Sequence, residues 1–155
     1  WRVGDVVVAY GDTYSFFCGS NMELTAVTDA GDATVKTQVA IASTDRPSAS
    51  KPDVLFIATR IVADGETVVS QGFVYGKNAV ASDLTLENVG KTASGANAGK
   101  VKVAYNSTNS DQFGLNYAIK AMTGTAAARA FIVTKDADGN VKTTYSEASL
   151  YNYDA

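Results

Sequence analysis

Histidine is missing from all 155 residues. Its absence excludes Ser-His and Cys-His nucleophile pairs and removes the commonest ligand of catalytic zinc. A single cysteine, Cys18 in "YSFFCGS", excludes an internal disulfide. Its apolar neighbours predict a buried structural thiol. Only two prolines are present, and charge is sparse, with 13 basic and 16 acidic residues. The net charge of -3, the pI of about 4.8 and the lack of any Lys/Arg run exclude the basic stripe that a nucleic-acid surface needs. Long hydrophobic runs are lacking too. "DVLFIATRIV" is far too short to cross a bilayer, so no membrane insertion is expected. The sequence opens at Trp1 rather than Met, with no signal-peptide pattern, which reads as a processed product or a piece of something larger.

What is present is a chain that is 46% apolar, rich in Gly, Ala, Ser, Thr, Val and Asn. That composition builds a core, argues against disorder, and suits strands and turns better than long surface helices. Period-two alternation runs through it. "GKVKVAYN" places Val101, Val103 and Tyr105 on one face; "QFGLNYAIKAM" places Phe113, Leu115, Tyr117 and Ile119 on one face. "PDVLFIATRIV" and "TVVSQGFVYGK" are apolar on both faces over part of their length, as central strands are. "IKAMTGTAAARAF" contains Gly124 and two threonines and reads as a strand end, a loop and a new strand.

Strands are predicted over 34–43, 53–62, 67–77, 83–88, 100–106 and 112–121, with a hairpin in 128–147. Turn signals such as "ADGE", "NSTNSD" and "DADGN" separate them. Seven or eight runs at this spacing predict an all-β fold: an immunoglobulin- or fibronectin-like antiparallel β-sandwich over 34–155. Its expected core contains Phe56, Val74, Leu86, Val103, Phe113, Leu115, Tyr117, Phe131 and Val133. Residues 1–28 give three short strands, "DVVVAY", "TYSFFC" and "MELTAV", a small N-terminal β unit joined through a linker at 29–33. Three short strands have too little core to stand alone, so this unit is expected to dock on the sandwich or on a neighbouring molecule.

The acidic stretch "KDADGNVKTTYSE" has two readings. With Asp136 at position one of a calcium loop, Asp138 falls at three, Asn140 at five and Glu147 at twelve. Position six needs glycine, however, and Val141 stands there; Gly139 comes two residues early. "D-G" or "G-N" between alternating runs is a hairpin signal, because both residues tolerate positive φ. The stretch is therefore expected to be a plain turn, and no metal or cofactor is expected. "NST" at Asn106 fits a glycosylation pattern but reads as a polar turn.

Two stretches resemble known families. "PDVLFIATRIVADGETVVSQGFVYGKNAVASDLTLENVG" followed by "ARAFIVTKDADGNVKTTYSE" resembles a module at the C-terminal ends of large secreted or cell-wall proteins of Firmicutes. That resemblance covers about residues 50–147 and implies a fibronectin- or immunoglobulin-like spacer without catalytic residues. "W…GDVVVAYGDTYSFFCGSNMELTAV" is similar to the last strands of the Listeria–Bacteroides repeat, the internalin B-type repeat, through Trp1, Tyr14, Phe16, Leu24, Ala26 and Val27.

The resulting expectation is a non-enzymatic, secreted or cell-surface structural or adhesion module of a bacterial surface protein. A second reading is a self-assembling pilus, filament or surface-layer subunit that pairs strand edges with copies of itself. A third is a carbohydrate-binding module for cell-wall or host glycans, with Trp1, Tyr10, Tyr151 and Tyr153 as stacking candidates; the competing role for these rings is to cap the core. Asp64, Glu66, Asp111 and Glu147 could in principle serve a glycosidase, but they sit in turn signals with nothing to pair them across a cleft. Lys102 and Asn116, a candidate pair for an isopeptide cross-link, fall on polar faces, whereas such a bond needs burial.

Overall fold

The computed structural model describes residues 35–154 and, before them, the backbone of three short strands. Those are β1 (Arg2–Val3), β2 (Val6–Val7) and β3 (Leu24–Thr25), antiparallel in the order β2-β1-β3. Two of them fall inside the expected "DVVVAY" and "MELTAV" runs. The expected strand "TYSFFC", with Cys18, lies outside the described residues, as do the side chains of the whole unit.

Seven longer strands follow: β4 (Gln38–Asp45), β5 (Asp53–Ile61), β6 (Thr67–Lys77), β7 (Lys102–Asn106), β8 (Gln112–Ala118), β9 (Thr125–Lys135) and β10 (Val141–Asn152). They form an all-β sandwich of two antiparallel sheets, β4-β5-β8 and β10-β9-β6-β7. The two-faced apolar runs become interior strands: β5 lies between β4 and β8, and β6 between β9 and β7. β9 begins at Thr125 and β10 reaches Asn152, so the hairpin is longer than its pattern indicated and draws Tyr151 into the sheet.

One expected strand is absent. Residues 83–88 form two single 3-10 turns, Ala81–Asp83 and Leu86–Asn88. Their backbone finds partners other than a ladder. Leu86 N–H donates to the Tyr145 hydroxyl (3.0 Å), and the Asp83 carboxylate accepts from the Ser94 N–H (2.6 Å) and hydroxyl (2.7 Å). The period-two pair Leu84 and Leu86 still marks burial: Leu84 is fully buried and Leu86 partly so.

The core is double. Between the sheets, Val54, Phe56, Phe73, Phe113, Leu115 and Tyr117 pack with Ala126, Ala128, Ala130 and Ile132. On the outer face of the four-stranded sheet, Val74, Ala127 and Phe131 pack under Ala79, Leu84, Ala93 and Val101 from the 78–101 segment. Phe131 and Val74 therefore belong to the outer cluster, with Leu86, Val103 and Val133 at its margin, and not to the inter-sheet core expected for them. Because side chains alternate along a strand, Ala130 and Ile132 face inward and Phe131 outward. The sequence pattern of β9 is apolar on both faces and so could not say which face met the second sheet.

Side-chain hydrogen bonds close both flanks. The Thr44 and Ser149 hydroxyls pair at 2.7 Å between β4 and β10, and Asn106 Nδ2 donates to the Gly114 carbonyl (2.9 Å) between β7 and β8. Asn106 of the "NST" pattern thus ends β7 with its amide nitrogen engaged, while its Oδ1 is buried without a protein partner. Gly72 is required where β7 approaches β6, since a Cβ there would overlap the Ala104 carbonyl.

If the 78–101 segment is a true cover, Leu84→Ala should cost about 2–5 kcal/mol, the range of a core leucine. A loop leucine on the surface would cost no more than about 0.5 kcal/mol. Urea unfolding of the two proteins gives the difference.

Candidate functional site

Tyr151 and Tyr153 were the described members of the expected glycan platform. Tyr151, opposite Ala126 on β10, points to the sandwich interior, and both rings pack against the inter-sheet core. They meet edge to face at 5.2 Å, while the Arg46 guanidinium lies 5.2 Å from the Tyr153 ring centre. The Tyr153 hydroxyl donates to the Pro52 carbonyl and its N–H to the Gly124 carbonyl (2.9 Å). Both rings thus pack as core caps, and the Tyr153 hydroxyl is in use. Trp1 and Tyr10 lie outside the described residues. The same end of the core holds Tyr75 and Tyr117, edge to face at 4.7 Å. Burial first, then the neighbouring Tyr75 and Tyr153, push the Tyr117 hydroxyl up to about 12.

The acidic turn is a hairpin connection. Asp136 N–H donates to the Asn140 carbonyl (3.1 Å), Gly139 N–H to the Asp136 carbonyl (3.1 Å), and Gly139 adopts φ +88°. The Asp136 carboxylate turns inward. One oxygen accepts the Asp138 and Asn140 N–H groups (3.0 and 2.8 Å), the other the Asn140 side-chain amide (2.9 Å). These bonds, led by the Asn140 amide, hold the Asp136 carboxyl below its usual range. Glu147 is exposed in the β10 bulge, well along the second arm.

The other carboxylates are equally dispersed. Glu66 accepts the Thr37 hydroxyl (2.7 Å), which lowers its pKa, and Thr37 in turn accepts the Ala63 N–H (2.8 Å). Asp64 is exposed in the turn between β5 and β6. Asp111 is engaged by Arg60 at 3.1 Å. Among the described residues no group of three or more His, Cys, Asp or Glu comes together. Lys102 and Asn116 are exposed on different sheets, which keeps them apart as cross-link partners.

A shallow hollow of about 310 Å³ lies on the outer side of the three-stranded sheet, lined by Pro47, Ser48, Lys51, Asp53, Leu55 and Asn116. Its rim loop is pinned by Arg46, which donates to the Lys51 carbonyl (3.1 Å) and the Ala49 carbonyl (2.5 Å). Ser48 pairs with Ser50 (3.0 Å) rather than with a base.

The most organised polar group in the sandwich was not singled out from the sequence. Arg60 on β5 and Gln71 on β6 are both buried. Arg60 donates to Asp111, to the Gln71 amide oxygen and to the Thr108 carbonyl (2.8 Å); the Gln71 amide nitrogen donates to the Ser107 and Ser110 carbonyls. The available signal was a lone charge in "VLFIATRIV" and a lone amide in "VVSQGFVYG", each at an inward position of a central strand. Every contact in this group is structural: it fixes the 107–111 loop.

Two pH limbs follow. Glu66, Asp83 and Asp136 have folded pKa values below their ordinary ones, so their contribution is complete above the ordinary carboxylate range and is lost as pH falls through the folded values. Tyr117 is raised, so its contribution is complete below pH 10 and is lost as pH rises towards 12. Burial raises Tyr153 as well, so Tyr117→Phe should shrink the alkaline limb in chemical unfolding followed across pH, while Asp136→Asn should shrink the acid limb.

No protein-family model matches the chain, and no curated protein and no solved structure is significantly similar to it.

Proposed function

We propose that the chain is a non-enzymatic structural module of an extracellular bacterial surface protein, built as an immunoglobulin- or fibronectin-like sandwich and set in line with its neighbours. The winding supports the finer fold reading. The chain changes sheet after β5, after β7 and after β8, the Greek-key manner of such sandwiches. The resemblance of residues 50–147 to spacer modules of secreted Firmicutes proteins points the same way.

The observation that carries the functional reading is the path of the chain. β4 starts beside the end of β5, where Gln38 pairs with Ile61 and Thr37 meets Glu66. β10 finishes beside the start of β5, where Tyr153 reaches Pro52. The chain therefore comes in at one pole and leaves at the other, roughly 27 Å away at about 3.4 Å per residue of β5. A module threaded in this way extends a string of domains. Tyr151 and Tyr153, the described members of the expected ligand platform, pack on the core, which fits the same role.

Exposed Tyr105 supports a second, glycan-binding reading. It is 66% accessible on the outer face of the four-stranded sheet, edge-on to Phe131 at 5.8 Å. It also stands opposite Gly72, where an aromatic neighbour shields a bare strand position.

Light scattering over a wide concentration range, together with retention on immobilised cell-wall and host glycans, separates the readings. An in-line module stays monomeric and is not retained. Growth with concentration replaces it with a filament subunit, and retention that Tyr105→Ala abolishes replaces it with a carbohydrate-binding module.

A further inference from the structure

The hydrogen bonds of an antiparallel ladder lie perpendicular to its strands. Force along the strands loads the whole ladder at once, in shear; force across them opens it one bond at a time. The direction in which a chain is pulled therefore decides how strongly the same bonds resist. β4 receives the chain at the inlet pole and β10 releases it at the outlet pole, and the two run side by side in the same direction, joined by the Thr44–Ser149 hydroxyl pair. End-to-end tension thus acts along β4 against β5, over the register Gln38↔Ile61 to Asp45↔Leu55. It acts equally along β10 against β9, from Val141↔Lys135 to Asn152↔Thr125.

Both strands are fastened where the force arrives. At the inlet, Thr37 is tied to the β5–β6 turn through the Ala63 N–H (2.8 Å) and Glu66 (2.7 Å). At the outlet, Tyr153 N–H holds the Gly124 carbonyl (2.9 Å), and the Asp154 carboxylate accepts the Gly124 N–H (2.8 Å). The Tyr153 hydroxyl crosses to Pro52 at the head of β5, so load on β10 passes to the other sheet. These contacts oppose peeling from the ends, the step that would turn shear into unzipping.

We propose that the sandwich is a tension-carrying link, its first and last strands loaded in shear when the chain is pulled end to end. The proposal rests on the in-line reading above, and adds what the module does there: it resists extension of the string.

The test is single-molecule pulling of the full chain carrying Cys18→Ser, so that only introduced thiols take the handles. Handles at exposed Lys36 (Lys36→Cys) and the C-terminal end, which load β4 and β10 end to end, are compared with handles at exposed Ser50 (Ser50→Cys) and the C-terminal end, both on the outlet side. The end-to-end unfolding force should be at least about twofold higher, since shear engages the ladder together. Thr37→Val should lower the end-to-end force and leave the outlet-side force as it was. Equal forces in the two directions overturn the proposal, as does a Thr37→Val effect of the same size in both. A directional difference in a protein that also grows with concentration or binds glycans would retire the in-line reading and leave the link; equal forces in an unretained monomer would do the reverse.

Discussion

A buried guanidinium holds this sandwich together. Taking a charge out of water costs several kcal/mol unless hydrogen bonds replace the lost solvent. Arg60 meets that condition with three different partners: a carboxylate, a side-chain amide and a main-chain carbonyl. Its own N–H adds a fourth bond, to the Asp111 carbonyl (2.9 Å). The partners come from the opposite sheet and from the 107–111 loop, which carries the chain from β7 in one sheet to β8 in the other. Gln71 repeats the pattern from β6, donating into the same loop. One cluster therefore fixes where the two sheets meet, how the crossing loop runs and in which register β8 joins β5.

The alanines of β9 are the second constraint. Ala126, Ala128 and Ala130 face the three-stranded sheet, and Ala127 faces the cover. Small side chains in a strand lined by neighbours on both sides leave room for large ones from elsewhere. On the inner face that room goes to Phe73, Phe113 and the tyrosines of the outlet pole. On the outer face it goes to Leu84 and the 3-10 turns. The structure is thus three layers deep, with β9 in the middle, and the 78–101 segment is as much a part of the core as any strand.

This economy of side chains bears on function. Serine, threonine, asparagine and tyrosine are plentiful on the chain, and such residues often make binding sites. Here Thr44 and Ser149 close one flank, Asn106 the other, Asn78 anchors the cover through Ala96 (3.2 Å) and Thr125 (2.7 Å), and Tyr153 seals the outlet pole. These five bonds serve shape. The proposed role as an in-line, strain-bearing module draws on the same two features: side chains that bond within the sandwich, and a path that runs from pole to pole.

Much of this was legible in the sequence, because two signals are local. Alternation depends only on the two-residue repeat of a strand, so β4 to β10 were recognisable within a few residues. The turn at Asp136 to Asn140 depends only on residues that tolerate positive φ and on one carboxylate able to hold three N–H groups of its own loop. The absence of histidine and of a basic run needs no structure at all. What the tertiary structure decided were the long-range choices. A strand apolar on both faces, such as β9, does not say which face meets the second sheet, so Phe131 and Val74 changed cores. Leu84 and Leu86 carry a strand's spacing but stand at the end of one 3-10 turn and the start of the next, where Ser94 and the sequence-distant Tyr145 take up the polar groups around them. Arg60 and Gln71 are single polar letters in apolar strings until folding brings residues 107–111 to them. The chain's passage from one pole to the other follows from which strands become neighbours, and neighbours are set by packing across the whole chain rather than by any stretch of it.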